Sequence, residues 1–425
     1  MRCALLWTLM MLLSAPVSTS GEEAPTAAEG VERLIAAVQA NDLEAYEAVM
    51  AELAGLGEEA LPQLRKGLED EDPQVRAAAA HILGKLAVRP QVVLPDLIDL
   101  FGDAEPGLLG PVGFVAAEAA AAFGEAAVPH LIEALQVDEP HVRRSAALGV
   151  VILGPKAREA VPVVIDLLPE SDLDTRRPFL MNALMVMGED ARGAIPLLLD
   201  YLDDEDFHTQ YWSCRILGAI GAEARVAVPK LIELTEEGVA SVRRNAAAAL
   251  GRIGPEIGQE GLDVLIRALN DPLQPVRAEA AIALGRLGDF ARPAAAALEE
   301  VLEEGSTFAA RSQAAKSLWL LDPQSKTPPR VLIEQLGGDH EPWAAAEVLG
   351  ELGAEMEVVD EIAALVEAPK GETRLYAASA LGALGERARH TADRLKPLLD
   401  DPDEEVRLVA RRALEQMGVF EDSPE

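Results

Sequence analysis

The stretch from Val228 to Gly254 reads VPKLIELTEEGVASVRRNAAAALGRIG and predicts a pair of short α-helices. Pro229 suits the first turn of a helix, where its missing N–H leaves no hydrogen bond unmade. Small or apolar residues follow Arg243 at helical spacing and so line one face of the second helix. They are Ala246, Ala247, Leu250 and Ile253. Gly254 then supplies a cap for the end of that helix.

The same pattern recurs along the chain at intervals of roughly 30 to 37 residues, which is the period of helix-pair repeats. An arginine is followed by a glycine eleven residues later at Arg143, Arg177, Arg243, Arg277, Arg374 and Arg407. Arg76 and Arg311 occupy the same position, here called the slot, and Gly113, Gln210 and Pro342 replace the arginine in three further units. Because each helix pair has an apolar face that it cannot bury alone, neighbouring pairs must stack.

Two further features of the unit predict how it packs. Glycine recurs eight positions after the slot, as at Gly84 and Gly251, and predicts that another backbone passes close by, since glycine inside a helix otherwise costs about 1 kcal/mol. Acidic turns lie between the helices. We expect their carboxylates, such as Asp70, Asp271 and Asp401, to bind the slot arginines, and favour this over an anion-binding stripe.

The paired motifs Val228-Pro229 and Val242-Arg243 resemble those of HEAT repeats, most closely the short bacterial form found in phycobilisome lyase subunits. The resemblance covers about Leu61 to Gly418, with Val31 to Gly57 as a degenerate N-terminal cap. It implies an all-α fold, an α-solenoid in which about eleven helix hairpins form one right-handed superhelix. Such a fold serves many scaffolds and does not itself define a function.

The N-terminus predicts export. Arg2 precedes the apolar run Ala4 to Leu13 and the small residues Ser18 to Ser20, so residues 1–20 read as a signal peptide cleaved near Gly21. The run is too short to span a bilayer. We therefore expect a periplasmic or extracellular protein with no membrane span after cleavage. The expected parts are residues 1–20, the signal; 21–57, a linker and capping repeat; 58–418, the solenoid; and 419–425, an acidic tail.

Charge and cysteine content restrict the partners and the chemistry. The formal net charge is −35, which repels nucleic acid and anionic lipid and favours a basic or neutral protein partner. The two cysteines are Cys3, in the predicted signal, and Cys214, so the mature chain is expected to lack an internal disulfide. Cys214 falls on the packed helix face, where we expect an inert buried thiol and not a nucleophile.

The resemblance also raises enzymatic alternatives. Deoxyhypusine hydroxylase, which shares this repeat class, binds two irons through several His-Glu pairs, whereas this sequence has one, His340-Glu341. Similarity to phycobilisome lyase subunits implies tetrapyrrole attachment, but no residue identifies a chromophore site. We therefore predict no catalytic, cofactor-binding or metal-binding residues. An enzyme or enzyme subunit stays the alternative, and a passive structural element of the envelope is a third hypothesis.

The positions two, five and nine after the slot are expected to point away from the stack, on the concave side that second helices line in HEAT arrays. In three adjacent units they carry large side chains instead of small or charged ones. The predicted partner-binding residues are Leu148, Ile152, Phe179, Asn182, Val186, Tyr211, Trp212 and Arg215, edged by Arg252 and Arg286. Such residues mark binding surfaces, unless a loop or curvature covers them. The leading hypothesis is an exported, non-enzymatic scaffold or adaptor that holds a polypeptide there.

Overall fold

The computed structural model of the protein describes residues 27–40, 42–107, 109–171, 177–302, 308–322, 325, 327–338, 342–352 and 356–419. The predicted signal peptide, the pair His340-Glu341 and the tail beyond Val419 lie outside the described residues. The chain forms two compact units, Met1–Gly149 and Val150–Glu425.

The first unit is built from short helices and one small hairpin. The helices are α1 Ala27–Ala40, α2 Leu43–Leu56, α3 Leu61–Gly67, α4 Pro73–Leu86, α5 Pro90–Asp99, α6 Val112–Ala121, α7 Val128–Gln136 and the start of α8 Pro140–Leu153, within which the boundary falls. Strands β1 Pro106–Gly107 and β2 Gly110–Pro111 pair antiparallel, with Pro106 opposite Pro111. This hairpin is the one departure from helix among the described elements, and it occupies a segment rich in Gly and Pro that cannot continue a helix.

The second unit continues the same alternation of short and longer helices. Its helices are α9 Val161–Leu167, α10 Arg177–Met187, α11 Ile195–Leu202, α12 Phe207–Ile220, α13 Val228–Glu237, α14 Ala240–Ile253, α15 Gly258–Ala268, α16 Gln274–Arg286, α17 Ala295–Leu302, α18 Phe308–Leu321, α19 Thr327–Leu336, α20 Pro342–Leu352, α21 Met356–Ala364, α22 Gly371–Leu384, α23 Ala392–Leu395 and α24 Glu404–Gln416.

From α3 onward the described helices form eleven consecutive pairs, α3 with α4 through α23 with α24. Within the second unit the second helix of each pair packs on that of the next, so that α12, α14, α16 and α18 lie side by side. This stacking confirms the predicted all-α solenoid of helix hairpins. Most first helices begin with proline in the first turn, as predicted for Pro129, Pro162, Pro196 and Pro229.

A 3-10 turn that the sequence pattern did not predict joins most pairs. Gly221–Ala227 is an example, in which Ala224 and Ala227 are fully buried while Arg225 and Val226 between them face solvent. The turn begins at Gly221, whose φ of 78° is easily adopted only by glycine. The predicted capping glycines have positive φ throughout the described repeats, and Ala87 takes the same left-handed conformation where glycine is missing.

The glycines inside the second helices lie where neighbouring backbones meet. A Cβ added to Gly251 of α14 would lie 2.6 Å from the Cα of Ala283 in α16. In the first unit, a Cβ on Gly84 would lie 2.6 Å from the Cα of Ala119. The predicted close approach is therefore confirmed, and no side chain fits at these crossings without moving a helix.

We expect Gly251→Ala to lower the free energy of unfolding by about 1–3 kcal/mol, because the added methyl must push α16 away from α14. Gly55→Ala is the matched control, since nothing lies within 4 Å of its added Cβ on α2. There the usual preference of helices for alanine should stabilise the protein by up to about 1 kcal/mol. Urea denaturation followed by circular dichroism measures both; equal effects would contradict the packing role of Gly251.

The slot arginines tie each unit to the acidic turns, as predicted. Arg243 donates to the carboxylate of Asp271 in the next unit through Nε at 2.7 Å and Nη2 at 3.0 Å, and Nη1 donates to the carbonyl of Gly238 at 3.0 Å in its own turn. Arg374 binds Asp401 and the Ala368 carbonyl in the same way. These two bidentate bonds each link a helix pair to the next one.

The predicted contact between the Asp70 carboxylate and a slot arginine is wrong. Arg76 donates to the backbone carbonyl of Asp70 at 2.8 Å, whereas its carboxylate partners are Asp103 at 2.8 Å and Glu105 at 2.6 Å in the following unit. The Asp70 carboxylate instead accepts the N–H of Asp72 and shapes the turn. A guanidinium reaches the carbonyls of its own turn and the carboxylates of the next because its donors point in different directions.

Where the slot lacks arginine, the contact is replaced or sterically excluded. Gln210 donates from Nε2 to the carbonyls of Asp204 at 2.9 Å and Leu202 at 3.3 Å, so it keeps the bonds within the turn. At Gly113 an added Cβ would lie 2.5 Å from the Phe101 carbonyl oxygen, which leaves no room for any side chain.

The bonds between slot arginines and turn carboxylates predict a loss of stability in acid. Burial alone would raise the pKa of Asp271, but the hydrogen bonds from Arg243 and from the Leu273 N–H lower it below the usual value. A carboxyl whose pKa is lower in the folded state contributes stability above its unfolded pKa of about 3.9, and this is lost as the pH falls through the folded pKa. Unfolding free energy should therefore decline below about pH 4, and less steeply in Asp271→Asn.

At neutral pH, Arg243→Met should lower the unfolding free energy by about 2 kcal/mol, because it leaves the Asp271 carboxylate, 8% exposed, without its partner. Arg267→Met removes a similar ion pair with Glu236 whose side chains are 58% and 46% exposed. That control should cost about 0.5 kcal/mol or less. Denaturant titrations of both variants test the difference. Equal losses of unfolding free energy would show that the Arg243–Asp271 pair contributes no more than an exposed surface ion pair.

Candidate partner-binding surface

The predicted binding residues lie on the second helices and are reached by solvent. The structure places Phe179, Asn182 and Val186 on α10, Tyr211, Trp212 and Arg215 on α12, Arg252 on α14 and Arg286 on α16. Within the second unit α10 packs on α12, α12 on α14 and α14 on α16. These eight residues are called the central patch. The apolar members are partly buried, and Arg252 and Arg286 are exposed.

The two remaining predicted residues lie on α8. Ile152 belongs to the second unit and is 47% exposed, while Leu148 belongs to the first unit and is partly buried. A Cβ on Gly154, two residues after Ile152, would lie 3.9 Å from the carbonyl oxygen of Val186. The end of α8 therefore adjoins the end of α10, which brings Ile152 to the edge of the central patch.

The aromatic part of the patch is organised around one guanidinium. The Arg215 guanidinium carbon lies 4.9 Å from the ring centre of Trp212 and 5.4 Å from that of Tyr211. Arg215 Nη1 donates to the Tyr211 hydroxyl at 3.0 Å, and the two rings meet edge to face with centres 5.7 Å apart. Each cation–π contact contributes about 0.5–1 kcal/mol at an exposed site. The cluster is thus fixed before any partner arrives.

This spacing follows from the helix itself. Arg215 is four residues after Tyr211 and three after Trp212, and side chains three and four apart are neighbours on a helix surface. Helix α12 is well capped at its start, because the Asp206 carboxylate accepts the N–H groups of His208 and Thr209. The first turn, which directly precedes Tyr211, is therefore held in place.

A row of positive charge continues from this cluster along the second helices. Arg252 passes over α12 one turn beyond Arg215, since a Cβ added to Gly218 would lie 3.4 Å from Arg252 Cδ. Burial lowers the pKa of the Arg252 guanidinium, the charges of Arg286 and Arg215 lower it further, and that of Glu279 opposes them. Arg252 therefore lies close enough to Arg215 and to Arg286 to be repelled by both.

Glu279 is the acidic residue within this row. Its carboxylate is 12% exposed and lies 3.4 Å from Arg244 Nε and 3.5 Å from Arg286 Nη1. Among the described residues, neither Arg215 nor Arg252 has a carboxylate within ion-pair distance. The centre of the patch is therefore basic, although the chain as a whole is strongly acidic.

Two residues of this surface escaped the sequence prediction. Ile282 lies five positions after the slot Arg277 and is partly exposed on α16, between Glu279 and Arg286. The rule of two, five and nine positions that selected Phe179 also selects Ile282 and Glu279. Their unit has no aromatic residue at these positions and so lacks the signal that marks the units of Phe179 and Trp212.

Cys214 lies beneath the patch and not within it. The thiol belongs to the packed face of α12, is fully buried, and burial raises its pKa to about 12. A thiol with this pKa is protonated at neutral pH and unable to attack a substrate. The predicted inert thiol is confirmed in its burial.

The described residues lack two features, a cluster of metal ligands and a membrane-spanning helix. They contain no group of three or more His, Cys, Asp or Glu residues placed to hold a metal ion. Within the same part of the chain, no helix has the length and apolar character needed to cross a bilayer.

Comparison with known proteins agrees with the geometry. The stacked hairpins define an α-solenoid. The family model of HEAT repeats matches residues 31–109, 178–251, 228–319 and 330–415, which together make up well over half of the chain. The chain therefore belongs to the HEAT-repeat family, as the motifs predicted. No curated protein sequence matches it significantly.

Solved structures of similar fold include two karyopherins. Kap95p, in a structure with RanGDP, is 13% identical to this chain with a TM-score of 0.52. The match covers 92% of this chain and 66% of Kap95p. The karyopherin Kap121p, bound to the SUMO protease Ulp1p, is 13% identical to this chain with a TM-score of 0.48. That match covers 93% of this chain and 53% of Kap121p. An engineered protein is 21% identical with a TM-score of 0.37, over 84% and 98%. The chain thus spans about two thirds and half of the two karyopherins, and the likeness concerns the fold.

Proposed function

We propose that this protein is an exported, non-enzymatic scaffold that holds a polypeptide partner on the second-helix face of its solenoid, at the central patch. The observation that carries the proposal is the preformed cluster of Tyr211, Trp212 and Arg215, beside the partly exposed Phe179 and Val186. Tyr, Trp and Arg are the residues most enriched among binding hot spots. A rigid aromatic surface also loses little conformational entropy on binding.

The rest of the same face supports this choice of site. On α14 and α20, the positions that point away from the stack carry small or charged residues, such as Ala248, Glu347 and Glu351. Large side chains gather on neighbouring helices α10 and α12, where they form one surface. Helix faces built from several repeats suit an extended or helical segment, which contacts successive helices as it crosses them.

The overall charge restricts the partner. A net charge of −35 repels acidic macromolecules at long range, so the partner as a whole is basic or neutral. A non-enzymatic role fits the chemistry of Cys214, whose buried thiol is protonated at neutral pH. Kap95p, whose fold is similar, is described as binding RanGDP, and by analogy we extend protein binding to this chain.

The double change Phe179→Asp with Trp212→Asp should abolish partner binding, because each aromatic is expected to contribute about 2 kcal/mol or more. A partner is captured by crosslinking from native envelope extract, identified by mass spectrometry, made pure and titrated against both forms by calorimetry. The double variant should then bind at least about a hundredfold more weakly.

Trp343→Asp provides the matched control, since Trp343 is 49% exposed on α20, outside the central patch. This variant should bind the purified partner like the unchanged protein. Circular dichroism must first show that all three proteins are equally helical. A partner that binds the double variant with unchanged affinity would overturn the proposed site and point to the acidic outer surface.

Export forms the second part of the proposal and rests on residues 1–20. Expressed in a Gram-negative bacterium, the chain should be recovered from the periplasm with a new N-terminus near Gly21. Leu9→Arg with Leu12→Arg should keep it uncleaved in the cytoplasm, because charges in the apolar run block insertion. Mass spectrometry of the fractionated protein reads both results. An intact N-terminus on periplasmic or secreted protein would contradict cleavage, and cytoplasmic protein would contradict export.

A further inference from the structure

The helix face that carries the central patch is basic, whereas the chain as a whole is acidic. In α10, α12, α14, α16 and α18, the positions two, five and nine after the slot include the basic residues Arg215, Arg252, Arg286 and Lys316 and one acidic residue, Glu279. The whole chain has 72 acidic and 37 basic residues. This short stretch of helix face therefore reverses the balance of the chain.

Basic residues at the margins of this face have carboxylate partners. Lys316 of α18 forms an ion pair with Glu351 of α20, and Arg286 lies 3.5 Å from Glu279. Arg215 and Arg252 differ, because among the described residues neither has a carboxylate within ion-pair distance, and the charges that act on Arg252 are those of Arg286, Glu279 and Arg215. Guanidinium groups that lie near one another with no carboxylate in ion-pair contact attract an anion strongly.

The surroundings of these two arginines select the kind of anion. Arg215 is fixed by the Tyr211 hydroxyl and lies against two aromatic rings, and the bond to Tyr211 uses one of its five N–H donors. The partly exposed apolar residues Phe179, Val186 and Ile282 lie on either side of the arginines. A ligand that satisfies both must carry a small anionic group next to apolar side chains. Nucleic acid is disfavoured by the net charge of −35.

We propose that Arg215 and Arg252 together bind a carboxylate on the polypeptide segment that the central patch holds. This inference rests on the proposed function and names the chemistry of the bound segment. The segment is a short apolar stretch that carries an Asp, a Glu or the C-terminal carboxylate of the partner. It agrees with a basic or neutral partner, since net charge governs approach and the local row governs which segment docks.

The test is an array of apolar nonapeptides with amidated C-termini, each made in matched versions that carry Asp, Asn, Glu, Gln or Lys at the centre. A further version of each neutral peptide has a free C-terminal carboxylate. Bound peptides are then labelled with fluorescein and titrated by anisotropy. We expect the Asp, Glu or free-carboxylate version to bind at least about tenfold tighter than its neutral counterpart. The version that gains identifies which carboxylate is recognised.

Variants assign the preference to the arginines. Arg252→Gln should bind acidic and neutral versions within about twofold of each other, because the paired donors are lost while the apolar contacts stay. Lys316→Gln is the control, since Lys316 already has Glu351 as its partner, and should keep the full preference. Neutral versions that bind as tightly as acidic ones, or a preference retained in Arg252→Gln, would overturn the carboxylate site.

The Phe179→Asp, Trp212→Asp variant separates this inference from the proposed function. Peptides that bind the unchanged protein, lose binding in the double variant and ignore central charge would leave the patch as a binding surface and refute the carboxylate site alone. Peptides that bind both proteins equally, or an array with no bound peptide, would count against the patch itself and so against both.

Discussion

Close approach of successive second helices is the constraint on which the rest of this structure depends. At Gly251 and Ala283 the backbones of α14 and α16 come so near that a single methyl group has no room. Such crossings require small residues where two second helices meet, which is one reason why alanine and glycine are frequent in the chain. The stability of the array is then distributed over many similar crossings, each of which involves only adjacent pairs.

That constraint also determines where function can lie. Side chains on the packed face are limited to small and aliphatic types, and Cys214 illustrates how a reactive group becomes inert there. The slot arginines are likewise committed, because Arg243 is bound on both sides by Asp271 and the Gly238 carbonyl. The helix face away from the stack is free of these demands. Packing of the repeat therefore does not require a large aromatic residue on that face, such as Trp212.

The sequence predicted most of the repeat because its signals are local and periodic. Helix pairs, capping glycines and close crossings follow from spacing alone, and Gly251 shows how one residue type reports a distance. Contacts that depend on how the helices and turns are placed relative to one another could not be predicted from the sequence. The Asp70 assignment was wrong because spacing cannot tell whether a carbonyl or a carboxylate of the turn meets Arg76. The hairpin at Pro106–Gly107 and the 3-10 turns break the period, so a periodic pattern could not contain them.

The candidate surface was predictable in position and not in electrostatics. Counting residues two, five and nine positions after the slot located Trp212 and Arg215, yet only the structure showed the guanidinium held against two rings. Net charge misleads at this scale, because screening limits its reach to about 8–10 Å in physiological salt. At contact distance Arg215 and Arg252 matter more than distant acidic turns. A molecule can thus repel acidic proteins as a whole and still have a place where one carboxylate fits.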